Sequence, residues 1–164
     1  MLLKFFLNHN SSSYLRQLES EFGESSNAIR VELNRLEYAG LLRSYTKGNR
    51  KYFQAEKTHP LFKDIHSIIL KYVGIDQVID NVVHKLGDLD CIFLQGDFAQ
   101  GRDNDTIEFI FVGENLDCEY LCRLVGKAEK MIKRKVEYLV MGKKEFDSHA
   151  TIEGNGRVLL LWEA

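Results

Sequence analysis

A polar, glycine-containing stretch between two apolar runs constrains the fold of this chain more than any other feature. The sequence Q-G-D-F-A-Q-G follows the apolar run Cys91–Leu94, and the run I-E-F-I-F-V begins at Ile107. Short apolar runs bounded by turn residues predict buried strands. Glycines let backbone N–H groups approach a bound phosphate. The stretch therefore predicts two strands joined by a phosphate-handling loop.

Further helices and strands follow this loop. Asp117 can cap a helix with a regularly spaced apolar face, and Val136–Met141 is another apolar strand. The sequence G-K-K-E-F-D begins a further helix, and a Gly-Asn-Gly turn at 154–156 leads into an apolar strand. A glycine loop, strands and helices in this order indicate a small α/β domain.

These features resemble the nucleotidyltransferase superfamily of the DNA polymerase β type, in its minimal bacterial form. That family has a strand, then G-S-x-A-R-G, then S-D-x-D at the head of the next strand. The resemblance puts Asp97 where the family has Ser, Thr106 at the first metal carboxylate and Glu108 at the second. The residues that it assigns to a nucleotide and metal cleft are Gly96, Asp97, Gly101, Thr106, Glu108 and Glu137.

Two departures from the family pattern bear on catalysis. Asp97 puts a negative charge where the triphosphate lies in the family. Thr106 replaces one anionic ligand of the two Mg²⁺ ions that align the attacking oxygen and the leaving pyrophosphate. A shifted alignment puts Asp105 at the first metal position but Ile107 at the second. We therefore predict a catalytically inactive nucleotidyltransferase-like domain that is not an enzyme, with no metal site and no cofactor.

The first sixty residues predict short helices followed by a hairpin. The apolar start M-L-L-K-F-F-L-N-H-N is interrupted by Lys4, which favours a helix over a signal peptide. The serines of S-S-S-Y-L-R-Q-L can cap a helix that ends at Gly23, and Ser25 or Ser26 can cap a second helix that ends at Gly40. Two β-prone runs then flank the turn K-G-N-R, which predicts a hairpin.

This order of elements resembles a winged-helix domain of bacterial regulators similar to the arsenic-repressor family. In that family the second helix of the motif enters the major groove and the wing touches the DNA backbone. Arg and Asn side chains can read guanine and adenine edges. A solvated helix face, or a winged helix that binds protein, would carry similar residues. The predicted DNA-binding residues are Asn27, Arg30, Asn34, Arg35, Lys47, Arg50 and Lys51.

Two amphipathic helices are predicted after His59-Pro60. Apolar residues recur at helical spacing from Ile65 to Val73, and again from Ile75 to Leu86. The first of these helices either pairs two protomers or packs on its neighbours. The predicted fold is α+β, with a winged helix-turn-helix domain at residues 1–58, a linker helix at 59–74 and a small α/β nucleotidyltransferase-like domain at 75–164.

Charge and cysteine content support a basic N-terminal module in a cytoplasmic protein. Residues 1–60 hold nine Lys/Arg and six Asp/Glu, although the whole chain has a net charge of -2. Three cysteines favour reduced thiols and a cytoplasmic location, and no apolar run is long enough to span a membrane. Cys118 and Cys122 have the i, i+4 spacing of metal ligands, but we expect them to be buried in packing.

The sequence thus predicts a DNA-binding transcriptional regulator that binds double-stranded DNA as a homodimer. The second domain would dimerise, or would bind a nucleotide or another small-molecule effector. Two alternatives remain open. One is an active, divergent nucleotidyltransferase that modifies a protein or nucleic acid, and the other is an antitoxin-like protein-interaction module.

Overall fold

The chain divides into two compact units, residues 1–69 and 70–164. The computed structural model describes residues 1–83, 86–153 and 158–164. The predicted Gly-Asn-Gly turn at 154–156 lies outside these residues. The predicted boundaries after residues 58 and 74 stay predictions. The helices and strands are α1 (Leu2–Phe6), β1 (Ser12–Tyr14), α2 (Leu15–Phe22), α3 (Ser26–Tyr38), β2 (Leu42–Lys47), β3 (Arg50–Ala55), α4 (Phe62–Val73), α5 (Ile75–Val83), β4 (Asp88–Gln95), α6 (Gly96–Ala99), β5 (Thr106–Glu114), α7 (Cys118–Ile132), β6 (Lys135–Met141), α8 (Lys143–Glu153) and β7 (Val158–Glu163).

The first unit combines helices with a three-stranded antiparallel sheet of order β1-β3-β2. Helix α2 ends at Gly23, which has a left-handed backbone with φ of 65°, as the sequence predicts. Ser25 caps α3, because its side chain accepts a hydrogen bond from the backbone N–H of Ala28. Leu18 of α2 and Leu33 of α3 are buried in the core of this unit.

The serines before α2 do not have the predicted capping role. They belong to β1, where Ser12 pairs with Gln54 and Ser13 with Phe53 of β3. Tyr14, not a serine, is the N-cap residue of α2. These serines therefore form backbone pairs with a strand that is about 40 residues away in sequence, and they do not cap a helix.

A nearly buried ion pair joins α1 to α2. The Nζ atom of Lys4 donates to Oε1 and Oε2 of Glu21 at 2.8 and 2.9 Å. The two side chains are only 6% and 12% exposed. Each charge has lost most of its hydration, so each depends on the other.

The second unit is built on a four-stranded sheet of order β6-β5-β4-β7. Strand β4 pairs antiparallel with β5 and with β7, whereas β5 and β6 are parallel and are joined through α7. Phe146 of α8 stacks on Phe93 of β4 at 4.2 Å between ring centroids. The register puts Phe93 on the same face of the sheet as Gln95, Glu108 and Glu137. Helix α8 therefore covers the face that carries the predicted carboxylates.

Several predictions for the second unit need adjustment. The polar stretch after β4 contains a short helix, α6. The described part of α5 ends at Val83, before the predicted end at Leu86. Cys118 and Cys122 are both exposed, so the prediction that they are buried is wrong. They lie at the start of α7, at its solvent-facing side, while Leu121 and Val125 supply the buried face.

Among the helices within the described ranges, none is long and apolar enough to cross a membrane.

We predict that Lys4→Met lowers the free energy of unfolding by about 3 kcal/mol or more, because it leaves the Glu21 carboxylate buried without its main counter-charge. Combining Lys4→Met with Glu21→Leu should restore most of this loss, since neither charge is then desolvated. Urea unfolding followed by circular dichroism measures both values. A double variant that is as unstable as Lys4→Met alone would contradict the prediction.

Candidate functional site

The loop after β4 begins with a backbone that only glycine tolerates well. Gly96 has φ of 69°, in the left-handed region. A Cβ atom built on Gly96 would lie 2.1 Å from Oε1 of Glu108. The carboxylate of Glu108 therefore occupies the space that a side chain at position 96 would need. Gly101, at the other end of the loop, also has a positive φ, of 71°.

The carboxylate of Asp97 is held inside the loop by hydrogen bonds, and its charge is paired there. Its Oδ1 atom accepts hydrogen bonds from Nε and Nη2 of Arg102 at 2.9 and 2.6 Å. Its Oδ2 atom accepts one from Nδ2 of Asn104 at 2.8 Å. Arg102 supplies a matching positive charge, so the predicted repulsion of a triphosphate by Asp97 is largely compensated.

Three polar side chains lie in one row across the sheet. Gln95 of β4 pairs with Glu108 of β5, which pairs in turn with Glu137 of β6. Nε2 of Gln95 donates to Oε2 of Glu108 at 3.3 Å. Nζ of Lys135 lies 2.6 Å from Oε1 of Glu137, and this hydrogen bond raises the pKa of Lys135. Thr106 lies two residues before Glu108, opposite Lys135.

A polar cavity of about 570 Å³ opens beside this row. His149 of α8 lines it together with Gln95, Glu108 and Arg102. Within the described residues, the buried Nδ1 atom of His149 has no hydrogen-bond partner. Sequence reasoning missed Gln95, Arg102 and His149, because only the folded register brings α8 and the loop to the carboxylates.

The donor set does not fit the two-ion site of the resembling family. Over the residues that the structure describes, no three His, Cys, Asp or Glu side chains are grouped closely enough to hold a metal ion. Glu108 and Glu137 are neighbours in the sheet, and the neutral Thr106 stands at the position of the family's first metal carboxylate. Mg²⁺ is commonly held by one or two carboxylates, with substrate phosphates and water completing its shell. Two carboxylates match at most one Mg²⁺ whose other ligands come from outside the protein, rather than two resident ions.

The first unit carries a separate basic groove of about 640 Å³. It lies between α3 and the β2–β3 hairpin. Of the predicted DNA-binding residues, Arg30, Asn34, Arg50 and Lys51 line it, whereas Asn27, Arg35 and Lys47 are exposed outside its lining. Arg16, which sequence reasoning missed, adds a further cation.

Two of the groove cations are already held by neighbours. Nζ of Lys51 lies 2.8 Å from Oε2 of Glu37, and this bond, with one from Ser44, lowers the pKa of Glu37. The Arg50 guanidinium lies over the ring of Tyr14, 4.5 Å from its centroid. These contacts orient the two side chains along the groove wall.

Several solved structures are similar to part of the chain. A protein from Sulfolobus solfataricus assigned as a nucleotidyltransferase has 20% identity and a TM-score of 0.40, and the match covers 60% of this chain and 86% of that one. A mutant of the toxin–antitoxin MntA–HpeT has 18% identity and a TM-score of 0.42, with 55% and 72% covered. A toxin–antitoxin structure with AMP-PNP has 20% identity and a TM-score of 0.41, with 58% and 75% covered. No protein-family model matches the chain, and no curated protein matches it.

The prediction that the chain is not an enzyme is corrected here, because the similar solved structures include a protein assigned as a nucleotidyltransferase. The geometry also removes one of the two reasons for that prediction, because Arg102 compensates the charge of Asp97. The other reason, the loss of an anionic ligand at Thr106, is a property of the sequence and stands. The predicted DNA-binding regulator stays a prediction.

We predict that Gly96→Ala lowers the free energy of unfolding by about 1–2 kcal/mol, because alanine is strained in the left-handed region. The added Cβ must also displace the Glu108 carboxylate. Gly126→Ala is the matched control: Gly126 lies within α7, and no described atom lies within 4 Å of a Cβ built there. Alanine should stabilise that helix position by up to about 1 kcal/mol. Equal effects of the two substitutions in urea unfolding would contradict the assignment.

Proposed function

We propose that residues 70–164 transfer nucleotidyl groups and that residues 1–69 bind the double-stranded DNA that guides the chain to its site of action. The proposal of nucleotidyl transfer rests on one observation, the row of Glu108 and Glu137 beside the turn at Gly96. The two carboxylates share one face of the sheet and line one hollow together, and Glu108 also borders the polar cavity. A nucleotide triphosphate matches this arrangement, because the glycine turn leaves room for phosphate and the carboxylates can share a cation with it.

Each side chain of the cavity has a definite role in this proposal. Arg102 lies beside the loop and supplies positive charge toward the phosphates. One Mg²⁺ bound by Glu108 and Glu137 would neutralise charge on the leaving pyrophosphate. Nδ1 of His149 can accept the proton of an attacking hydroxyl, since it is buried and has no partner among the described residues. Gln95 holds the Glu108 carboxylate through its amide.

The purified chain should transfer label from an α-³²P nucleoside triphosphate to itself or to added duplex DNA, in the presence of Mg²⁺ or Mn²⁺. Glu108→Gln keeps the size of the side chain but removes its charge, and we expect it to lower the rate by about 100-fold or more. Glu114→Gln, at the exposed end of the same strand, is the matched control and should leave the rate unchanged. Absence of transfer with all four nucleotides and both metals would overturn the proposal.

A second function is favoured by the basic groove. Arg30 and Asn34 project from α3 into it, and Arg16, Arg50 and Lys51 supply cations for the phosphate backbone. Arg and Asn match guanine and adenine edges in the major groove. A chain that binds DNA in this way and sits at promoters would act as a transcriptional regulator. As a homodimer it would bind an inverted repeat. Helix α4 offers Ile68 as an exposed apolar residue for that contact.

Arg30→Ala should weaken binding to a selected duplex by about 1–3 kcal/mol and relax the preference at one base position. The sites are first obtained by retaining fragmented genomic DNA on the purified chain and sequencing it; a shared inverted repeat would support a dimer. Fluorescence anisotropy on a selected site then compares Arg30→Ala with Arg123→Ala, which removes an equal charge from the second unit. Unchanged binding by Arg30→Ala would show that this face of α3 does not read DNA.

A further inference from the structure

Three tyrosines form a row across the outer face of the first sheet. Tyr14 of β1 and Tyr45 of β2 each pair with Tyr52 of the central strand β3. The ring centroids of Tyr45 and Tyr52 are 5.6 Å apart with nearly parallel planes, at 11°. Those of Tyr14 and Tyr52 are 5.4 Å apart, at 68°. Because cross-strand partners share a face of the sheet, the rings form one continuous aromatic surface.

This tyrosine face, defined as Tyr14, Tyr45 and Tyr52, is not part of the core. The core side of the same sheet carries Phe53 and Ser13, which are buried. Tyr45 is 42% exposed, and Tyr14 and Tyr52 are half-buried. An aromatic row that served packing alone would be expected on the buried side, where it would gain more from leaving water.

The charged side chains that the three strands place on the tyrosine face all have one sign. Arg43, Lys47 and Arg50 lie on the same face of the sheet by register and are exposed. The three strands contain no Asp or Glu. Glu37, a nearby acid, is bonded to Ser44 and Lys51, whose side chains lie on the other face. The tyrosine face is therefore both aromatic and cationic, without a compensating acid on its strands.

We propose that the tyrosine face binds single-stranded nucleic acid. Unpaired bases can stack on exposed tyrosine rings, and the three cations can follow the phosphate backbone beside them. A duplex does not satisfy this surface, because its bases offer only their edges in the grooves. The site is distinct from the groove that reads duplex DNA, although Tyr14 and Arg50 lie at the border of both.

The proposal is tested by fluorescence anisotropy of a labelled oligothymidylate of about ten nucleotides, a length typical of one single-strand site. Tyr45→Leu keeps an apolar side chain but removes the ring, and it should weaken binding by about tenfold or more. Tyr45→Phe keeps the ring and should bind like the unmodified chain. Lys47→Ala, at the exposed end of the hairpin, should make the dependence of log K on log salt shallower by about 0.7.

Binding to the selected duplex separates this site from the groove. Tyr45→Leu should leave duplex binding unchanged, and Arg30→Ala should leave oligothymidylate binding unchanged. The proposal is overturned if the unmodified chain does not bind the oligonucleotide at low salt. It is also overturned if Tyr45→Leu and Tyr45→Phe bind it equally, because the tyrosine row would then serve only to stabilise the sheet. If Tyr45→Leu does not fold, the salt dependence of oligothymidylate binding by Lys47→Ala is the deciding measurement, and an unchanged slope would overturn the proposal.

Discussion

The close approach of the Glu108 carboxylate to the backbone of Gly96 is the contact on which the cleft of the second unit depends. Strand β4 ends at Gln95, directly opposite Glu108, so the chain must turn away at the next residue. The turn requires a left-handed backbone and no Cβ, and glycine satisfies both conditions. Parallel pairing of β5 with β6 then brings Glu137 beside Glu108. One glycine thus joins the loop to the row of carboxylates.

Local patterns in the sequence predict the helices, the hairpin and the glycine loop because their causes are local. Gly23 and Ser25 act as caps through neighbours within four residues. The spacing of apolar residues in α7 predicts its buried face without knowledge of the elements that pack on it. The capping role predicted for the serines of β1 is wrong, because these residues pair with a strand that is distant in sequence. The sequence does not show that Arg102 compensates the charge of Asp97, because that contact depends on how the loop folds. His149 has no motif around it, and only the packing of α8 brings it to the cavity.

The β2–β3 hairpin gives two surfaces of different chemistry from one alternating sequence. In β3, Lys51 and Phe53 lie on the side that faces α3, whereas Arg50, Tyr52 and Gln54 lie on the other. A shift of register by one residue would exchange the two sets and put the tyrosines into the core. The antiparallel pairing of Tyr14 and Tyr45 with Tyr52 resists such a shift, since it aligns all three rings at once.

If the loop binds phosphate as proposed, the bond between Arg102 and Asp97 makes that binding an exchange of one anion for another. The guanidinium is already engaged by a carboxylate of its own chain, so an incoming phosphate competes with Asp97 instead of meeting a vacant cation. A ligand with a single negative charge would gain little from that exchange. A polyphosphate would arrive with a cation, and that cation could neutralise charge on both Asp97 and the phosphates. In the proposed nucleotide site, Asp97 would therefore favour highly charged ligands over simple anions.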